Sequence, residues 1–346
     1  MSDTSADASL ARVKKLLAAA RKVKDDPAIV KPLLDSTGLS AMGIYLALAR
    51  YLETEAPAED LAVLVKNAAP RAHVHVILSA HVFTAPLRAL AVAWAASERV
   101  TVSPSRREPV FARALVAALD DPRVVLSDRE DAHSIEHGEV HVYGHDETVS
   151  AIKSAARPGV VVRGHGTGMG VAFVTASSPM EAGHGIAEDV VVFDQRGCLS
   201  PRIVMVLGSD ARATAVAEAL HTELTALEEQ IPRGALAEDE HRDAVRYAET
   251  MAFAGKALRG KTHVVGVGAS TGPLVLPPPG RHVHVVPVAT TEQARALLVP
   301  FARYVVAIGC DDEAMGRRLV PDRGRVRLSP LGRMQEPPLD GPVDLR

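Results

Sequence analysis

The chain has 346 residues, a length that suits two domains. Hydrophobic residues make up 47% and charged ones 23%, so it buries a sizeable core, and with 3% aromatics that core is built from Ala, Val and Leu. The net charge of −3 argues against nucleic-acid binding, no apolar run approaches the roughly 18 residues that span a bilayer, and two cysteines in this length argue against a disulfide framework.

The N-terminus, "MSDTSADASLARVKKLL", lacks the apolar stretch of a signal peptide, so a cytoplasmic location with reduced thiols is expected. Residues 9–67 read as helical, with Leu10, Val13, Leu16, Leu17 and Ala20 forming one apolar stripe. From residue 73 strands alternate with helices. "HVHVILSA", "RVTVSPS", "RVVLS", "EVHVYG" and "GVVVRGHGTG" are strands, and "APLRALAVAWAAS", "EPVFARALVAALD" and "DETVSAIKSAA" are helices. That alternation predicts a parallel α/β sheet, in which ligands bind beyond the carboxyl ends of the strands. A second α/β unit begins near residue 170. Its strands are "VAFVTAS", "DVVVFD", "RIVMVLG", "THVVGVGAS", "RHVHVVPVA" and "YVVAIG", and its strong helices are "DARATAVAEALHTELTALEEQ" and "DEHRDAVRYAETMAFAGKAL". The tail, "RVRLSPLGRMQEPPLDGPVDLR", is rich in Pro and Gly and is expected to wrap over a surface or a partner subunit. The chain divides accordingly into 1–168, 169–310 and 311–346.

Several segments carry candidate chemistry. Cys198 lies in a polar stretch between apolar runs, beside Gly197 and after Asp194 and Gln195. A thiolate is a strong nucleophile near neutral pH, whereas a buried cysteine is often an inert apolar residue, and both readings stand for Cys198. Cys310 fits the inert reading. In "VHVYGHDETVSAI" a strand ends at Tyr143 and Gly144, Asp146 suits a helix N-cap, and Glu147 and Thr148 open the first turn. Such a helix start binds a phosphate or is simply a capped helix. "TVSPSRREP" places Ser103, Ser105, Arg106 and Arg107 at a strand end, where they suit a nucleotide or form a solvated turn. "RGHGTGMG" and "VGVGASTG" are glycine-rich, but neither has a dinucleotide fingerprint with a helix directly behind it. The 14 histidines show no metal spacing, so no metal site is expected. His81 and His165 stand apart because both follow strands.

Taken together, these segments resemble the aldehyde dehydrogenase superfamily, and more closely its acyl-CoA reductase family (the LuxC type, of the bacterial luminescence fatty acid reductase). "FDQRGCLSPR" is similar to that family's nucleophile segment and "RLSPLGRMQEPPLDGPVD" to its C-terminal motif. The resemblance covers roughly residues 73–346. It implies a Rossmann-like cofactor domain, an α/β catalytic domain and a helical N-terminal segment. It implies NADPH-dependent reduction of an acyl-CoA thioester to an aldehyde through an acyl-enzyme on Cys198, with NADH as the other cofactor. Ser103, Ser105, Gly144, Asp146, Glu147 and Thr148 are then cofactor-binding, and a homo-oligomer is expected. The chain departs from the superfamily in three places. His81 stands where an oxyanion-holding Asn is usual, Ser103 replaces a cofactor-contacting lysine, and "VVVRGHGTGMG" holds His165 but no water-activating Glu. Lacking that acid suits an enzyme that reduces its acyl intermediate rather than hydrolysing it. An acyl phosphate substrate and a non-catalytic scaffold are the alternatives.

Overall fold

The structure, a computed structural model, describes residues 3–128, 135–319 and 325–346; residues 1–2, 129–134 and 320–324 lie outside the description. It separates into two compact units. The first holds the residues up to Thr37, Ile44–Thr167 and Pro338–Val343, and the second holds Gly38–Gly43, Gly168–Pro337 and Asp344–Arg346.

The chain starts with helices α1 (Asp3–Asp25), α2 (Val30–Thr37), α3 (Ala41–Leu46) and α4 (Ala58–Asn67). In the first unit β1 (Val74–Ile77), α5 (Ala85–Ala96), β2 (Val100–Ser103), α6 (Val110–Leu119), β3 (Val124–Leu126), β4 (Gly138–Tyr143), α7 (Asp146–Ala155) and β5 (Val160–His165) follow. The five strands pair in parallel in the order β3-β2-β1-β4-β5, the Rossmann arrangement. Helix α1 packs on α5 and α6, and its stripe residues Val13, Leu16 and Leu17 are buried. On the other face Ile77, Val140 and Val142 meet Val149 and Ile152 of α7. Gly164 permits that contact, because a Cβ there would lie 2.1 Å from a Val149 methyl. Strand order reverses between β1 and β4, so their carboxyl ends flank the topological switch point.

The second unit contains β6 (Met169–Val174), α8 (Pro179–Val191), β7 (Pro201–Leu207), α9 (Asp210–Gln230), α10 (Glu238–Ala254), β8 (Lys256–Arg259), β9 (Val264–Val267), β10 (His282–Val288), α11 (Thr291–Leu298), β11 (Val305–Cys310), α12 (Glu313–Leu319) and β12 (Arg327–Ser329). Its seven strands run β12-β11-β6-β7-β10-β9-β8, and only β8 is antiparallel. The sheet is apolar on both faces. Along β6, Ala172 and Val174 point to α8 and α9, while Val171 and Phe173 point to the cluster that includes α11 and α12. Residues 311–337 continue this unit through α12 and β12, while Pro338–Val343 belong to the first unit.

Two predicted elements differ from the structure. The helix expected over "DEHRDAVRYAETMAFAGKAL" ends at Ala254, and its last three residues open β8. "DVVVFD" is not a strand: Asp189–Val191 end α8 and Val192–Gln195 form a 3-10 turn. The valines are buried as one side of a helix, among residues Ile186, Ala187, Val190 and Val191. Helix α8 is set by a capping box, with Ser178 Oγ accepting from Glu181 N–H while the Glu181 carboxylate accepts from Ser178 N–H. Among the described residues no helix is long and apolar enough to cross a membrane.

Candidate active site

In the first unit, His81, Gly144, Asp146 and His165 come together at the ends of β1, β4 and β5. The His81 ring meets His145 edge-on at 5.3 Å, and His165 stacks on Tyr143 at 4.5 Å. Gly144 N–H donates to the His165 carbonyl at 3.1 Å. Asp146 is not the N-cap of α7. His145 holds that position, and the Asp146 carboxylate accepts the Thr167 N–H at 2.8 Å instead. A carboxylate therefore does stand against the "RGHGTG" segment that contains no acid of its own. Glu147 is exposed and Thr148 half-buried in the first turn of α7.

Ser103 and Ser105 lie apart from that group, in a cavity of about 780 Å³ at the ends of β2 and β3. Arg106, Arg107, Arg113 and Leu126 also line it. Arg113 comes from α6 and has no signal in the linear "SRRE" segment. The start of α6 is closed by Glu108, whose carboxylate accepts from Val110 N–H at 2.8 Å and Phe111 N–H at 3.2 Å. Three arginines and three hydroxyls, against the single carboxylate of Asp128, favour a phosphate-bearing ligand in this cavity.

Cys198 belongs to the second unit, in the turn between the 3-10 segment and β7. Phe193, Asp194 and Gln195 carry left-handed φ values of 53°, 51° and 63° in succession, and Asp alone of these types tolerates that region readily. Side-chain bonds hold the strain. The Asp194 carboxylate pairs with buried Arg281 at 2.8 Å and accepts the Gly234 N–H at 2.9 Å. Gln195 donates to the carbonyls of Pro201 and His282 and accepts from His282 N–H, each at 2.8 Å. Gln195 thus ties the turn to β7 and β10. Arg281 also pairs with Glu228 at 3.1 Å.

Beyond Cys198 the turn is held from the C-terminal motif. Gln335 donates to Ser200 Oγ at 3.1 Å and to the Asp189 carbonyl at 3.2 Å. Asp189 accepts from Gly332 N–H at 2.7 Å and Met334 N–H at 2.8 Å. Burial pushes the Asp189 carboxyl up to about 7, against those two donors. A Cβ on Gly168 would come within 3.1 Å of Cys198 Cβ and 3.4 Å of Arg346 Nη2, so the guanidinium lies near the thiol. Arg346 is gripped by Asp344 through bonds of 2.8 and 2.7 Å. Cys198 is half-buried; burial pushes its thiol up to about 12, with Asp344 adding to the rise and Arg346 and Arg327 opposing it. At neutral pH the free protein therefore holds a thiol rather than a thiolate. Arg281, Gln335, Asp344 and Arg346 carry no local signal; only the likeness of the tail to a family motif pointed toward Gln335 and Asp344.

The parallel sheets and a cysteine on a turn before a central strand define an aldehyde-dehydrogenase-like protein. Solved structures with this fold include a NAD-dependent benzaldehyde dehydrogenase from Corynebacterium glutamicum (TM-score 0.68, 15% identity, covering 94% of this chain and 83% of that one). A methylmalonate-semialdehyde dehydrogenase from Oceanimonas doudoroffii matches with TM-score 0.67 and 13% identity over 95% of this chain and 78% of its own. PnpE from Pseudomonas sp. WBC-3 matches with TM-score 0.64 and 16% identity over 91% and 76%. No curated protein matches the sequence. The chain belongs to the acyl-CoA reductase (LuxC) family, whose model matches residues 47–345.

Proposed function

We propose that this chain reduces an acyl-CoA thioester to an aldehyde, with NADPH as reductant and Cys198 as acyl carrier. The observation that carries the reading is the braced, strained turn that presents Cys198 in a chain of this family. The Cys198 thiol gives up its proton and Sγ attacks the thioester carbonyl carbon. The oxyanion is met by the Cys198 backbone N–H, a donor worth a few kcal/mol in such sites, and the family resemblance assigns the second donor to His81. Coenzyme A leaves with the proton, and the acyl group remains on Sγ. A reduced nicotinamide cofactor, when bound, supplies the hydride that releases the acyl group as aldehyde. His165 moves the accompanying proton.

The residues of the first unit fit such a cofactor. Gly144, Asp146, Glu147 and Thr148 lie at the start of α7, whose N–H groups suit a pyrophosphate. The cavity holding Ser103 and Ser105 offers Arg106, Arg107 and Arg113, a cationic set that favours the additional phosphate of NADPH over NADH.

Mass spectrometry after mixing with an acyl-CoA in the absence of cofactor tests the reading. An acyl adduct on Cys198, absent from Cys198→Ala, is expected. A parent that takes up no acyl group, or takes it up elsewhere, would favour a scaffold over an enzyme.

A further inference from the structure

Four polar side chains run in file through the first sheet. His73 Nε2 lies 2.8 Å from Thr101 Oγ1, Thr101 Oγ1 lies 2.7 Å from His75 Nδ1, and His75 Nε2 lies 3.0 Å from Ser103 Oγ. Parallel pairing places His75 opposite Thr101 and Ile77 opposite Ser103. The two-residue side-chain period then puts alternate residues of β1 and β2 on one face. His75 is fully buried and Ser103 is 2% exposed. The file ends at the arginine-lined cavity, which Ser103 borders.

A neutral imidazole has one donor and one acceptor nitrogen, and a hydroxyl has a single proton. At its centre His75 therefore either accepts from Thr101 and donates to Ser103, or accepts from Ser103 and donates to Thr101. With an acceptor in the cavity, Ser103 donates to it and takes the His75 Nε2–H in return. His75 Nδ1 then accepts from Thr101, which accepts from His73. All four bonds point toward the cavity and strengthen one another. A lysine at the place of Ser103 donates and never accepts, so it needs no such partner. A serine hydroxyl rotates freely and does.

We propose that His75 is a positioning residue that turns the Ser103 hydroxyl proton into the cavity, making Ser103 a fixed donor to the 2′-phosphate of the cofactor. This rests on the reading of the cavity as the NADPH phosphate site. Thr101 fixes the His75 tautomer from behind.

Calorimetric titration of the full chain with NADP⁺ and with NAD⁺ tests it. Ser103→Ala and His75→Phe each weaken NADP⁺ about tenfold, the size of a lost hydrogen bond to a charged group, and leave NAD⁺ within twofold. The double variant is no weaker than Ser103→Ala, because His75 acts through Ser103. Thr101→Val keeps the strand shape and gives the same selective loss, so the test survives poor folding of His75→Phe. The proposal is overturned if His75→Phe and Thr101→Val bind NADP⁺ as the parent does, if they weaken both nucleotides equally, or if the loss from His75→Phe adds to that from Ser103→Ala. A parent that binds neither nucleotide removes the cofactor reading and this proposal with it. Parental binding with unaltered variants removes this proposal alone.

Discussion

Cys198 has an acidic and a basic neighbour, Asp344 and Arg346, that push its thiol in opposite directions. Asp344→Asn removes the charge that holds the proton on and leaves the guanidinium ungripped. Iodoacetamide should then alkylate Cys198 severalfold faster at pH 8, and Arg346→Gln should slow it. A change of the same sign in both variants would mean that the pair only shapes the turn. Asp189 gives a separate signal. Its carboxyl is raised from an ordinary 3.8 to about 7, so the folded state holds the proton more tightly than the unfolded chain does. The stability this contributes is complete below about pH 4 and is lost as the pH rises through 7. The difference in urea midpoint between the parent and Asp189→Asn should track that loss from pH 4 to 8; a pH-independent difference would refute it. At this scale the sequence singled out Cys198 by its setting between apolar runs. Composition and spacing were silent on Asp344 and Arg346, which lie about 150 residues away and reach the thiol only through the fold.

At the level of elements, the 3-10 turn before Cys198 combines three left-handed residues with a buried ion pair. Arg281→Met leaves Asp194 and Glu228 buried without their cation and should cost about 3–5 kcal/mol in urea unfolding. Gln195→Ala strips three hydrogen bonds from backbone groups and should cost about 1–3 kcal/mol. It should also lower kcat/KM with acyl-CoA without changing the cofactor KM, since only the presentation of the thiol is disturbed. Unchanged turnover in a folded Gln195→Ala protein would deny the brace a role in chemistry. Most strands were legible because Val-rich runs of four to eight residues sit between turn residues. "DVVVFD" misled because a helix buried along one side shows the same valines. The better clue lay upstream, in the Ser178-x-x-Glu181 pattern that starts α8. β8 was hidden because "KAL" reads as the end of the helix before it and has no apolar alternation of its own.

For the whole molecule, the change from β1–β5 to β6–β12 near residue 168 was visible in the order of strands and helices, but the exchange of short segments was not. Gly38–Gly43 count with the second unit and Pro338–Val343 with the first. Arg88 on α5 is 5% exposed and donates to the carbonyls of Pro338 at 2.7 Å and Gly341 at 3.0 Å. Its side chain also pairs with Glu53. Arg88→Met should raise amide hydrogen exchange across 338–343 by tenfold or more, at the order of a lost charged hydrogen bond, while β1 and β4 stay protected. Protection unchanged in 338–343 would show that Arg88 is not what holds the segment. No composition or periodicity signal reports such a return, because its bonds run from one arginine to main-chain carbonyls that every sequence possesses.

Neither unit is a continuous stretch of chain, and this bears on how the protein is made. A ribosome adding about 5–20 residues per second completes the second unit only with residues 344–346, roughly ten to thirty seconds after it has added Cys198. Through that interval the nascent chain carries the thiol without Asp344 and Arg346, and without the Gln335 clasp on Ser200. The surroundings that give Cys198 its chemistry are thus delivered well after the thiol itself.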